Sequence, residues 1–74
     1  MNAEYSVELG KRVKELRKAK VWTQEQLVAK LQLTGCDMTR SALAKIEVGQ
    51  RHLYPDEIKA LLEVFHISSD ELLP

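Results

Sequence analysis

Cysteine and histidine are the side chains most able to hold a metal or act as nucleophiles, and here their spacing argues against both roles. Cys36, His52 and His66 are scattered, and no ligand-like pair lies one helical turn apart, as a zinc site on a helix would need. Glu57 and Glu63 miss the i, i+3 or i+4 spacing that would bring two carboxylates together for acid–base work. The pair Asp56-Glu57 is better explained as favourable negative charge at a helix start. No glycine-rich phosphate loop or nucleophile elbow is present. The reading is therefore a non-enzyme, with no metal, no cofactor and no evident small-molecule ligand. What remains is charge. The total over 74 residues is zero, yet residues 1–55 carry ten basic and six acidic groups, and residues 56–74 carry one basic and five acidic. Such a chain can turn one end toward a polyanion while the other end is kept off it.

The elements that position these charges read as helices throughout. Leu9, Val13 and Leu16 recur at helical spacing with Lys11, Lys14, Glu15 and Lys18 between them, which predicts a first helix over about Val7 to Ala19 with Ser6 as its N-cap. Gly10 inside it costs about 1 kcal/mol against Ala, tolerable where another backbone passes close by. Thr23-Gln24-Glu25-Gln26 has the form of a capping box, with Trp22 placed as a hydrophobic staple, and opens a second helix carrying Leu27 and Leu31 inward. Gly35 can take the left-handed conformation that ends it, so the helix extends through Leu33, and Asp37 and Met38 belong to a turn.

Thr39 is a good N-cap for a third helix over Arg40 to Val48, with Leu43 and Ile46 inward, Arg40, Ser41, Ala44 and Lys45 outward, and Gly49 as its stop. Tyr54-Pro55 forces an extended approach to Asp56, expected to cap a fourth helix whose face is Ile58, Leu61, Leu62 and Phe65. Ser68-x-x-Glu71 reads as a second capping box opening a short fifth helix. No alternating strand pattern or internal repeat is visible. The fold class is all-α, five helices in one domain spanning residues 1–74, because a chain this short has one small core at most.

Taken together, L-G-K-R-V-K-E-L-R at 9–17, T-Q-E-Q-L at 23–27, S-A-L-A-K-I-E-V-G-Q-R at 41–51, Y-P at 54–55 and D-E-L-L at 70–73 resemble the phage repressor and Cro type of helix-turn-helix regulator, the XRE family. The diagnostic part is K-I-E-x-G following a T-Q-x-x-L helix. The resemblance implies a compact lambda-repressor-like domain that binds double-stranded DNA sequence-specifically as a repressor, with the third helix in the major groove and the second bracing it. Carried over by position, it puts Arg40, Ser41 and Lys45 toward base edges with Ala44 beside them. It implies phosphate contacts from Gln24, Thr39 and Arg51, with Lys11 or Lys14 adding to them, and an ion pair between Arg17 and Glu47 joining helices one and three. Two positions depart from the family pattern: Val28 stands where a small residue is usual and Gln32 where glycine is usual. The connection from Gln32 to Met38 is also longer than the ordinary turn of about three or four residues.

One recognition helix reads few base pairs, so the resemblance also implies a homodimer on an inverted repeat, its contact near the fifth helix. Leu72 and Leu73 are adjacent and cannot both aim at one intramolecular core site, which leaves at least one for a partner. The alternative is a protein-interaction module on the same fold, an antitoxin-like partner whose acidic end meets another protein. The longest runs free of charge are six residues, Leu31 to Cys36 and Val64 to Ser69, far short of a membrane span. The start MNAEYS lacks a basic and apolar leader, and a lone cysteine suits a reducing compartment, so a cytoplasmic location is expected.

Overall fold

The computed structural model describes residues 3–74; Met1 and Asn2, part of the segment read for a leader, lie outside the described residues. Among the described residues the chain forms α1 (Ala3–Ala19), α2 (Gln24–Leu33), α3 (Arg40–Glu47), α4 (Pro55–Phe65) and α5 (Ser69–Leu72), with no strand. Leu9 and Val13 from α1, Leu27 and Leu31 from α2, Leu43 and Ile46 from α3, Leu61 from α4 and Leu72 from α5 meet in one core. Trp22 is half-buried against this core and stacks on Phe65 at 5.6 Å between ring centroids, with Lys30 Nζ over the indole at 4.6 Å from its centroid.

Helix α1 begins earlier than its apolar period suggests. Ser6, expected as the N-cap, lies inside the helix and is buried. It falls at i−3 from Leu9 and i−7 from Val13, so the packed stripe continues through it, and Tyr5 also packs on the core. Gly10 sits where α1 crosses α3: a Cβ there would overlap the Ile46 carbonyl oxygen and lie 3.1 Å from its carbon. The helix-propensity cost of this glycine is offset by the close approach it permits.

The connection from α2 to α3 is built by three devices. Gly35 takes φ +91°, and the Cys36 N–H returns to the Leu31 carbonyl at 3.1 Å, ending α2. Gln32, where a glycine would suit a tighter turn, donates from Nε2 to the Met38 carbonyl at 3.0 Å and so ties the longer loop to the helix it leaves. Met38, in that loop, is fully buried, as Leu53 is in the next connection, and neither carries a periodic signal. The Thr23 capping box forms in full, with Gln26 N–H to Thr23 Oγ1 at 3.1 Å and Thr23 N–H to Gln26 Oε1 at 2.8 Å.

Two further caps, besides Ser6, differ from expectation. Tyr54, not Asp56, is the N-cap of α4, because Pro55 fits the first helical position: its ring presets φ and its missing N–H removes a donor that would have no partner there. Asp56 is thus already inside the first turn. Glu57, one position further, accepts from the Tyr54 N–H at 2.9 Å and from Arg51 through both carboxylate oxygens. Burial alone would raise the Glu57 pKa, but these hydrogen bonds outweigh it and hold the carboxyl below its ordinary value. At α5, Ser68 is the N-cap but makes no side-chain cap bond, so the Ser68-Glu71 box does not form; the Glu71 N–H is met instead by the Ser68 carbonyl at 3.1 Å.

The crossing at Gly10 reverses an ordinary rule. In a free helix Gly→Ala stabilises by about 1 kcal/mol. Here Gly10→Ala is expected to destabilise by more than about 1 kcal/mol in urea unfolding, since α3 must move away to admit the methyl. A stabilised variant would show that the helices do not cross this closely.

Candidate nucleic-acid interface

Helix α3 is short, and both ends are fixed. Thr39 Oγ1 accepts from the Ala42 N–H at 3.1 Å, and at the other end Gly49 at φ +78° lets the Gln50 N–H reach the Lys45 carbonyl at 2.9 Å. Its inward side is Leu43, Ile46 and Glu47, all buried. Its outward side carries Arg40, Ser41 and Lys45, all exposed, with Ala44 half-buried among them. Among the described residues no carboxylate forms a salt bridge with Arg40 or Lys45. Arg40 is moreover the first helical residue, where the helix dipole disfavours a cation by roughly 0.3–1 kcal/mol.

The inward Glu47 anchors the arrangement. Arg17 Nε donates to Glu47 Oε2 at 2.7 Å and Arg17 Nη2 to Oε1 at 3.0 Å, a two-pronged pair whose side chains are 10% and 2% exposed. Arg17 Nη1 donates to the Trp22 carbonyl at 2.8 Å, which ties in the turn between α1 and α2. The Glu47 hydrogen bond holds the Arg17 guanidinium above its ordinary pKa against the opposing effect of burial. Gln24, from the first turn of α2, adds a donor: its Nε2 lies 3.0 Å from Glu47 Oε1, while its Oε1 accepts from Arg40 Nη1 at 3.3 Å. One carboxylate therefore gathers α1, α2 and α3. The partners of Gln24 are separated from it by 16 and 23 residues, so no local spacing announces them.

The remaining basic residues divide. Lys11 is exposed and Lys14 half-buried on α1, and Thr39 is exposed beside its capping bond. Arg51, expected to meet a phosphate, has another occupation: it holds both oxygens of Glu57 at 2.9 Å, donates to the His52 carbonyl at 3.1 Å and lies 4.9 Å from the centre of the Tyr54 ring. It braces the loop that follows α3. The leucines proposed for a partner also divide. Leu72 is fully buried in the chain's own core, where α5 lies against α1 and Arg12 Nη1 donates to the Glu71 carbonyl at 3.2 Å. Leu73 is half-buried at its edge.

Burial pushes the Cys36 thiol up, with nearby Glu57 and Asp56 adding to the effect, so its reactive thiolate is disfavoured. Among the described residues no three histidine, cysteine or carboxylate side chains gather as a metal site, and no helix is long and apolar enough to cross a membrane.

A double-mutant stability cycle on Arg17→Ala and Glu47→Ala is expected to show coupling beyond about 0.5 kcal/mol, because each single change strands a buried charge that the double change removes. Additive losses would mean that the two charges act independently.

The fold is shared with known proteins. A family model described as a helix-turn-helix domain matches residues 10–74. Among solved structures the chain is similar to the restriction-modification controller protein C.AhdI from Aeromonas hydrophila, at 32% identity and a TM-score of 0.80, with 92% of this chain and 96% of that one covered. No curated protein matches it in sequence. The chain belongs to the helix-turn-helix family of XRE-type DNA-binding proteins.

Proposed function

We propose that the protein is a sequence-specific regulator of transcription, a repressor that occupies double-stranded operator DNA with α3 in the major groove. The observation that carries this reading is the outward face of α3. Arg40 and Lys45 have no acidic partner there, and Arg40 stands at a helix start that by itself disfavours a cation. A polyanion supplies what that face lacks. The groove, about 12 Å wide, admits one helix, and α2 lies across its start as a brace.

In this reading Arg40 takes guanine O6 and N7 together, and Ser41 and Lys45 reach neighbouring edges, with Ala44 leaving room between them. Thr39 and the α1 lysines Lys11 and Lys14 approach phosphates. Likeness to a restriction-modification controller supports a regulatory use of the fold. Two copies related by a two-fold axis would set their recognition helices about 34 Å apart, with Leu73 rather than Leu72 left to face the second copy. The acidic final quarter, with Asp70 and Glu71 exposed, then lies away from the duplex.

The test begins with duplexes selected by the protein from a random pool. Affinity is expected to fall steeply with salt, as released counterions require. Arg40→Ala should cost roughly 1–3 kcal/mol on the selected duplex, relax preference at one base position and leave random duplex nearly unchanged. Equal loss on both duplexes would make Arg40 a phosphate contact, and a protein that selects no duplex at any salt would favour the protein-interaction reading.

A further inference from the structure

Among the described residues, the exposed large apolar side chains are Val7, Val21, Leu33, Val48 and Tyr54. Four of these belong to α1, α2 or the loops between other helices; Val48 stands at the end of α3. It follows Ser41 by seven residues and Ala44 by four, spacings that return a side chain to the same side of a helix. As the C-cap it has φ −103° and ψ 7°, the region bordering the helical one, so the register of the outward face carries through it. Helix α1 closes on the next residue instead. A Cβ at Gly49 would stand 2.6 Å from Val7 Cγ2, while Val48 keeps 57% of its surface open.

The outward face of α3 therefore carries two chemistries. Arg40, Ser41 and Lys45 offer hydrogen-bonding groups, whereas Ala44 and Val48, one helical turn apart, make an apolar strip beside them. The base edges in a major groove are hydrogen-bonding groups with one apolar exception, the 5-methyl of thymine. Cytosine in the same place presents an amino donor, and valine has nothing to accept it with.

We propose that Val48 is a specificity-determining residue that reads a thymine 5-methyl group, toward the end of the site away from the base taken by Arg40. The inference rests on the placement of α3 in the major groove given above. Valine has no group with which to hold a phosphate, so a contact confined to the sugar–phosphate wall would carry no preference for sequence. Against thymine, the valine methyls and the 5-methyl leave water together. One methyl group taken out of water amounts to about fourfold in affinity. The β-branched side chain is stiff at χ1 and loses little freedom on contact.

The probe is a duplex that the parent protein selects from a random pool, its thymines replaced one at a time by deoxyuridine, which removes the 5-methyl and keeps every hydrogen-bonding group. At least one replacement is expected to weaken binding of the parent about fourfold. Val48→Ala should weaken the unmodified duplex by a similar factor, leave a scrambled duplex within error, and no longer distinguish deoxyuridine from thymine at that position. Val48→Ile, which keeps a branched apolar side chain there, should retain the distinction. Because the side chain is exposed, thermal unfolding of both variants should stay close to that of the parent.

A deoxyuridine penalty that persists in Val48→Ala would hand the methyl to another side chain, and equal losses on selected and scrambled duplexes would put Val48 on the sugar–phosphate wall. Either result overturns the inference, as does a selected duplex in which no thymine methyl matters. Where Arg40→Ala still relaxes a base preference in these cases, the placement of α3 stands and the inference alone falls. A protein that selects no duplex takes down that placement and the inference together.

Discussion

A carboxylate taken out of water must be met on every side, and in this protein Glu47 is that carboxylate. Leaving such a group without its cation would cost about 3–5 kcal/mol, a large part of what so small a domain has to spare. The partners it recruits come from both other helices of the unit: Arg17 from α1 and Gln24 from α2. Because the Arg17 fork is planar and two-pronged, it fixes direction as well as distance. Residues that would otherwise be independent surface charges are thereby held in one register. The gain is orientation more than stability, since well-packed apolar groups could stabilise the same crossing at least as well.

Close approach is the second condition, and it is met by an absence. Gly10 lets α1 lie against the Ile46 carbonyl, one residue before Glu47, so that Arg17 two turns further along α1 can reach the carboxylate. At the far end of α3, Gly49 turns the chain at positive φ in a position where a Cβ would stand 2.6 Å from Val7 Cγ2. With its inner face buried and both ends tied, α3 needs no support from its outer face. Arg40, Ser41 and Lys45 are free of packing duties, and chemistry toward a ligand can be placed there without loss of the fold.

The helix bodies were legible because apolar residues at helical spacing and the Thr23 box act locally. The missed boundaries had local signals that tertiary structure overrode. Ser6 looks like a cap but falls on the packed stripe, and Asp56 looks like one but follows a proline that claims the first helical position. Met38 and Leu53 were hidden because a buried residue in a loop has no period to betray it. At the interface, the outward side of α3 could be read from periodicity, while a role for it came only through the family resemblance. The link from Glu47 through Gln24 to Arg40 could not be read at all, since it depends on which end of an amide faces a carboxylate 23 residues away. Arg51 was equally hidden: nothing in a basic residue just after α3 announces that it holds both carboxylate oxygens of Glu57, six residues on.

The central claim is that the Arg17–Glu47 pair serves orientation of the outward face of α3, proposed above to read DNA, rather than stability, and replacing both charges by apolar chains tests it most directly. The double variant Arg17→Met with Glu47→Met keeps volume and burial while removing the charges and the acceptor of Gln24. The account predicts a melting temperature equal to or above that of the parent, together with reduced preference for the selected duplex over a scrambled one. A variant that melts as the parent does and keeps the full preference would contradict it.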